Sequence, residues 1–218
     1  MVNKKSSIMD LMNKKICILL GAISFILFVF FTYLVHKDLF SSLDFDTTVR
    51  IQNHLSHIVD TPFSVFSLIG SAEIATLILI IFIALKKKLK SFFVLIPYGA
   101  IFFFELFGKV FVKHPGPSFR FFRYDIGFQF PSSYVNPGSS YPSGHSARTA
   151  FISVLFLIMI FNSRRISLPL KLFFAILILI FDLVMFVSRI YLGEHWLSDV
   201  IGGALLGLSM SLLSAILI

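Results

Sequence analysis

The sequence predicts an all-α membrane protein, a six-transmembrane-helix bundle with an interfacial helix and a long outer loop, formed by residues 1–218 as a single domain. Three observations predict it. Of 218 residues, 57% are hydrophobic and 14% charged, with a mean hydropathy of +0.91, a balance that cannot be arranged around one water-soluble core. The apolar residues fall in runs near the roughly 20 residues that a helix needs to cross about 30 Å of hydrocarbon. Basic residues gather in alternate connections between those runs.

The first run, 16–35, follows Lys4, Lys5, Lys14 and Lys15. It is too long for a signal-peptide core and lacks a small-residue cleavage site, so it is expected to stay as an anchor. Phe45, Val49, Leu55 and Val59 then recur at roughly helical spacing among Asp46, Arg50, Gln52, Asn53 and His57, which suits a helix lying in the membrane interface. Further spans are expected at 63–85, 92–112, 145–161, 168–187 and 197–218. Glu73 and Asp182 fall inside apolar segments, where acids usually find partners within the bundle. Gly203-Ala204-Leu205-Leu206-Gly207 fits close helix packing within the chain.

One side of the membrane collects Lys4, Lys5, Lys14, Lys15, Lys86, Lys87, Lys88, Lys90, Arg164, Arg165 and Lys171. By the retention of positive charge that side is the cytoplasm of a cell's inner membrane, with both termini there. The first loop, residues 113–143 and the turn from Arg189 to Glu194 then face outward or to the periplasm. Most of the net charge of +8 lies in the cytoplasmic clusters, where anionic lipids and topology explain it without nucleic acid. Cys17 is the single cysteine, which excludes an intramolecular disulfide and a cysteine metal site. His36, His54 and His57 lack partners at ligand spacing, and no metal or cofactor is expected.

The loop 113–142 is punctuated by Pro115, Gly116, Pro117, Pro131, Pro137 and Gly138 and carries Phe119, Phe121, Phe122, Tyr124, Phe128, Phe130, Tyr134 and Tyr141. Long ordered loops usually serve function. Its aromatic residues suit either an approach for a lipid headgroup or an interfacial belt.

Two clusters where apolar runs meet polar loops carry the chemistry: Pro142-Ser143-Gly144-His145, and Ser188-Arg189 followed by His195 and Asp199. His195 and Asp199 are four apart and would share a helical face if a helix begins there. A carboxylate holding one ring nitrogen leaves the other free as a nucleophile, which suits phosphoryl transfer. His145 would open a helix directly after Ser143 and Gly144, so backbone N–H groups and a hydroxyl could bind a phosphate oxygen while the imidazole protonates a leaving group. Arg189 and Lys109 supply cations, and Glu105, one turn before Lys109, could orient it.

Pro142-Ser143-Gly144-His145 and Ser188-Arg189-x5-His195-x3-Asp199 resemble two signature motifs of the type 2 phosphatidic acid phosphatase family at every fixed position. The family's members are six-helix lipid phosphatases. The resemblance implies a metal-independent reaction in which His195 attacks phosphorus and becomes phosphorylated, Asp199 supports it, His145 protonates the leaving oxygen, and water hydrolyses the phosphohistidine. A third family motif, lysine, six residues, arginine and proline, is partial here: from Lys109 it reaches Gly116 and Pro117, with glycine in place of arginine. Lys113, Arg120, Arg123 or Arg148 could supply that cation, and Arg148, one helical turn after His145, is the expected one.

The resemblance implies a lipid phosphate substrate at the outer leaflet, with undecaprenyl diphosphate favoured. Phosphatidylglycerophosphate, phosphatidate and lipid A phosphates stay open, as do a lipid phosphotransferase and a non-catalytic lipid-phosphate binding or transport protein. The sequence assigns no oligomeric state.

Overall fold

A computed structural model describes residues 4–86, 89–126 and 140–217, with side chains from Lys14 onward. Lys87, Lys88, Phe128, Phe130, Pro131, Tyr134, Pro137 and Gly138 lie outside the described residues. The only regular secondary structure among the described residues is helix, with no strand. In order the chain forms α1 (Lys4–His36), α2 (Ser41–His54), α3 (Asp60–Ser67), α4 (Ala72–Lys86), α5 (Leu95–Phe111), α6 (Gly144–Asn162), α7 (Leu168–Tyr191) and α8 (Leu197–Ser214). The stretches Lys14–His36, Leu89–Phe111, Gly144–Asn162, Leu168–Tyr191 and Leu197–Leu217 are each long and apolar enough to cross a membrane. A bent pair of helical pieces, counted together, gives a sixth candidate span, and the protein is multi-pass.

That sixth candidate departs from the expected straight span at 63–85. His57–Gly70 and Ala72–Lys86 meet at an angle of 49°. Ser71 is extended, with φ −60° and ψ 156°, and its Oγ accepts the Ile74 N–H at 3.3 Å, so a new helix starts there. The break releases the Gly70 carbonyl from helical hydrogen bonding, and the Arg148 Nε–H takes it up at 3.1 Å. A broken helix at membrane depth persists where neighbouring groups satisfy its freed backbone in this way.

Helices α6 and α8 form the centre of the bundle because glycines let their backbones meet. A Cβ at Gly203 would stand 2.3 Å from the Ser143 carbonyl oxygen, and one at Gly207 would stand 2.1 Å from that of Ala147. Small residues thus set the separation of the two helices, as the sequence pattern predicts. On the opposite side α1 crosses α8, where the Ser209 hydroxyl donates to the Gly21 carbonyl at 2.9 Å. Phe28, Leu79, Ile101, Phe151, Leu155 and Leu206 fill the core between these helices.

The outermost helix, α7, turns Leu172, Phe173, Ile176, Leu179, Ile180 and Leu183 outward, as a lipid-facing helix should. It buries Met185, Ser188, Arg189, Ile190 and Tyr191 near its end. The helix outruns the expected end at residue 187, so Ser188 and Arg189 belong to its last turn, not to an outer loop. Asp182 finds the expected partner, accepting the Ser153 hydroxyl at 2.6 Å.

The expected interfacial helix exists as α2, shifted to Ser41–His54, but its orientation is a finding of the fold. Asp44, Thr48 and Gln52, four residues apart, form its buried face, while Leu43 and Phe45 are exposed. Polar residues turn inward because they meet unpaired backbone groups: the Gln52 amide donates to the Phe121 and Tyr191 carbonyls, both at 2.7 Å.

The glycine contact predicts a graded result. Gly207→Ala should destabilise the protein by about 1–3 kcal/mol, the usual range for overpacking. Gly99→Ala should leave thermal unfolding in detergent micelles unchanged, since nothing lies within 4 Å of a Cβ there. Equal melting of the two variants would show that the helices have room to separate.

Candidate active site

The two sequence clusters meet through the backbone. The Ser143 N–H donates to the Asp199 carbonyl at 3.0 Å, tying the start of α6 to the first turn of α8. Ser143 caps α6, its Oγ accepting the Ser146 N–H at 3.4 Å, which leaves His145 in the first helical turn and buried. Over this turn stands the Glu105 carboxylate of α5. A Cβ at Gly144 would lie 2.3 Å from its oxygens, so only glycine admits it.

Glu105 gathers two of the expected cations. Its Oε1 accepts Lys109 Nζ at 2.8 Å, one turn along α5, as the spacing predicts. Its Oε2 accepts Arg148 Nη1 at 2.8 Å, from the turn of α6 that carries His145. One carboxylate against two cations leaves this corner net positive. Arg148 is buried, whereas the Lys109 side chain keeps 37% of its surface exposed and stands at the mouth of the site.

Arg189 enters from the last turn of α7, fully enclosed. Its Nη2 pairs with Glu194, while Nε and Nη1 have no hydrogen-bond partner among the described residues. Buried guanidinium donors without partners are costly, and an anion would satisfy them. The turn after α7 brings His195 back to this group, with the His195 N–H donating to the Arg189 carbonyl at 3.3 Å. Gly193 makes that turn possible: its φ is +69°, and a Cβ there would strike the Phe121 carbonyl at 2.1 Å.

His195 and Asp199 come together by a different route from the one their spacing suggests. Helix α8 begins at Leu197, so His195 precedes it, and the two do not share a helical face. Asp199 sits three residues past the N-cap and accepts the Trp196 N–H at 2.9 Å through Oδ2. The same oxygen lies 3.4 Å from His195 Nδ1, slightly beyond a good hydrogen bond. Asp199 therefore caps α8 and places the same carboxylate oxygen beside the imidazole. Burial, aided by the charges of Arg189 and Lys109, holds the His195 imidazole well below its ordinary pKa, so the ring is neutral at pH 7.

Several neighbours were not singled out from sequence. Glu194 had a local signal, since it follows Gly193 five positions after Arg189 across a turn. His114, Asp44 and Ser198 had none, lying far apart in the chain and meeting only in the fold. His114 Nε2 is 3.2 Å from Ser198 Oγ, and Asp44 accepts both the backbone N–H and the hydroxyl of Ser198, at 2.8 and 2.7 Å. Of the other cations considered in place of the motif arginine, Arg123 turns to Tyr191, its Nη1 donating to the phenol oxygen at 3.1 Å. Glu105→Gln, by leaving Arg148 buried with a weaker partner, should lower stability by about 3 kcal/mol, read as a drop in the unfolding midpoint.

Comparison with known proteins bears on the family and the fold. The sequence profile of the PAP2 superfamily matches residues 74–218, which contain all the residues singled out for the site. A transmembrane PAP2-type phosphatidylglycerolphosphate phosphatase from Bacillus subtilis superposes with a TM-score of 0.72 at 19% identity, covering 89% of this chain and 93% of its own. Aquifex aeolicus LpxE superposes with a TM-score of 0.59 at 24% identity, covering 79% of this chain and 94% of its own. No curated sequence relative matches. By the profile match, with the fold in agreement, the chain belongs to the PAP2 superfamily.

Proposed function

We propose that the protein removes phosphate from a monoester or diphosphate on a membrane lipid, without a metal ion, through a phosphohistidine on His195. One observation carries this reading. A neutral imidazole whose Nδ1 faces a carboxylate oxygen at 3.4 Å lies beside a buried guanidinium with two donors lacking partners among the described residues, an arrangement that suits an anion-binding nucleophile site.

With Nδ1 turned to Asp199, Nε2 of His195 is the nitrogen free to attack. The N–P bond forms as the P–O bond to the lipid breaks, and the leaving oxygen takes a proton from His145, which must enter the step as imidazolium. Water then attacks the phosphohistidine and gives a proton back to His145, and inorganic phosphate leaves with His195 restored. Arg189 Nε and Nη1, Lys109, Arg148 and the Gly144 backbone N–H hold the phosphoryl oxygens and meet charge that develops in the transition state, whereas the Ser143 N–H, expected in the same role, is taken by the Asp199 carbonyl. Arg148 replaces the motif arginine missing at Gly116, and Glu105 aligns it with Lys109.

The basic clusters favour a site at the outer face of a cell's inner membrane, with both termini cytoplasmic. An outer-leaflet carrier lipid such as undecaprenyl diphosphate is then the favoured substrate. The Bacillus subtilis relative supports a second reading, phosphatidylglycerophosphate.

Phosphate release from a panel of lipid phosphates, measured in chelator with purified protein, tests the proposal and ranks the substrates. His195→Ala should abolish release, and Asp199→Asn should lower kcat by on the order of 10²-fold or more. Lipid binding without release by the native protein would instead identify a non-catalytic lipid-phosphate carrier.

The pH profile has a defined sign. Because the lowered pKa keeps His195 in its nucleophilic form, kcat/KM should hold as pH falls through 6.5, the ordinary histidine value, and decline only below it. The substrate's own second ionisation, near 6, is separated by a phosphorus NMR titration. A limb at or above 6.5 would contradict the burial of the ring.

A further inference from the structure

Behind Asp199, on the side away from His195, lies a second buried imidazole. His114 follows α5 in the segment leading from Lys109, and its side chain is almost wholly enclosed. Its Nε2 stands 3.5 Å from Asp199 Oδ1, 3.7 Å from Asp44 Oδ2 and 3.2 Å from Ser198 Oγ. Three acceptors around one nitrogen require that it carry hydrogen. Asp199 Oδ1 has no well-formed hydrogen bond and faces this nitrogen, while the neighbouring Ser140 hydroxyl donates to the His114 carbonyl at 3.2 Å.

The cluster is anchored on all sides. Asp44, from the inward face of α2, is fixed by both donors of Ser198 on α8. The His114 carbonyl accepts the Ser140 N–H at 3.2 Å, joining this segment to the one that enters α6. The Tyr141 ring stands edge-on to the imidazole, 6.4 Å between centroids. Burial pushes the Asp44 carboxyl above its ordinary range, against the Ser198 hydrogen bonds, so a donor or cation beside it is favourable.

We infer that His114 is a positioning residue for phosphoryl transfer: with Asp44 and Ser198 it holds the Asp199 carboxylate from behind, so that Asp199 can hold His195 from the front. The inference rests on the proposed roles of His195 and Asp199. The order His195, Asp199, His114, Asp44 alternates base and acid through the bundle, drawing on α2, the end of α5 and α8. The groups facing His114 are Asp44 from α2, Asp199 and Ser198 from α8, and Tyr141 ahead of α6. Asp199 also faces His195 and lies within the field of Lys109.

The sign of a perturbation follows. Without the donor behind it, Asp199 either takes a proton more readily or, staying charged, draws one onto His195. Either change disables the pair at a higher pH, so the acid limb must move upward.

The test uses full-length protein and phosphatidate in mixed micelles, comparing His114→Leu, which fills the space without a donor, with His114→Gln, which keeps one. The Leu variant should lose about tenfold to a hundredfold in kcat, as misplacing a catalytic group does, with KM nearly constant and the acid limb raised. The Gln variant should be intermediate in both. An unchanged kcat and limb in the Leu variant, or Leu and Gln variants that behave alike, would overturn the inference. Should the Leu variant fail to fold, His114→Asn takes its place, since its amide corresponds to Nδ1 and is too short to set a donor where Nε2 stands, and an unmoved kcat and limb in that variant are then the negative result. His195→Ala separates the layers: if that variant still turns over, the parent reading fails, whereas a dead His195→Ala beside an unaltered His114→Leu defeats only the positioning role.

Discussion

The close approach of α6 to α8 is the constraint on which the rest of the structure depends. Gly203 and Gly207 let the Ser143 and Ala147 carbonyls come within a distance that no Cβ would allow, and the Ser143-to-Asp199 hydrogen bond fixes the register. In a bilayer this contact cannot draw on a hydrophobic driving force, since lipid tails are as apolar as leucine. Packing of small residues and backbone hydrogen bonds sets it instead. Residues some fifty positions apart in sequence become neighbours because two helices have room to touch.

Charge placement around that contact follows a consistent rule. Each buried ion has a counter-ion or donor, and the incomplete sets face the site. Glu105 satisfies Lys109 and Arg148 together, Glu194 meets one edge of Arg189, and the other edge is left without a partner. The bundle pairs the intramembrane Asp182 with Ser153, while two guanidinium donors of Arg189 have no partner among the described residues, the contrast on which the proposed anion site rests.

The broken span between α3 and α4 shows how backbone polarity enters the same design. A continuous helix would keep the Gly70 carbonyl in its own ladder. The break offers it to Arg148, which then lies between Gly70 on one side and Glu105 on the other. Gly70 also lets the chain pass the His145 ring, since a Cβ there would come within 3.1 Å of it. Helix continuity is thus given up where the site needs an acceptor and a close pass.

Composition and periodicity were enough to determine a multi-pass helical protein, the approximate spans, the small-residue packing on α8 and the Glu105-to-Lys109 pair, because each depends on hydrophobicity or on helical spacing alone. The motif residues were legible too, as short strings of chemically demanding side chains. Helix ends were less so: Arg189 proved to be inside α7 and His195 outside α8, since capping and turn geometry at Gly193 decide those boundaries locally. The inward polar face of α2, the break at Gly70 and Ser71, and the meeting of His114, Asp44, Ser198 and Asp199 were decided only by tertiary structure. Their partners are separated by tens of residues, so no local pattern encodes them. What brings them together is the requirement that every buried polar group find a partner once the helices have packed.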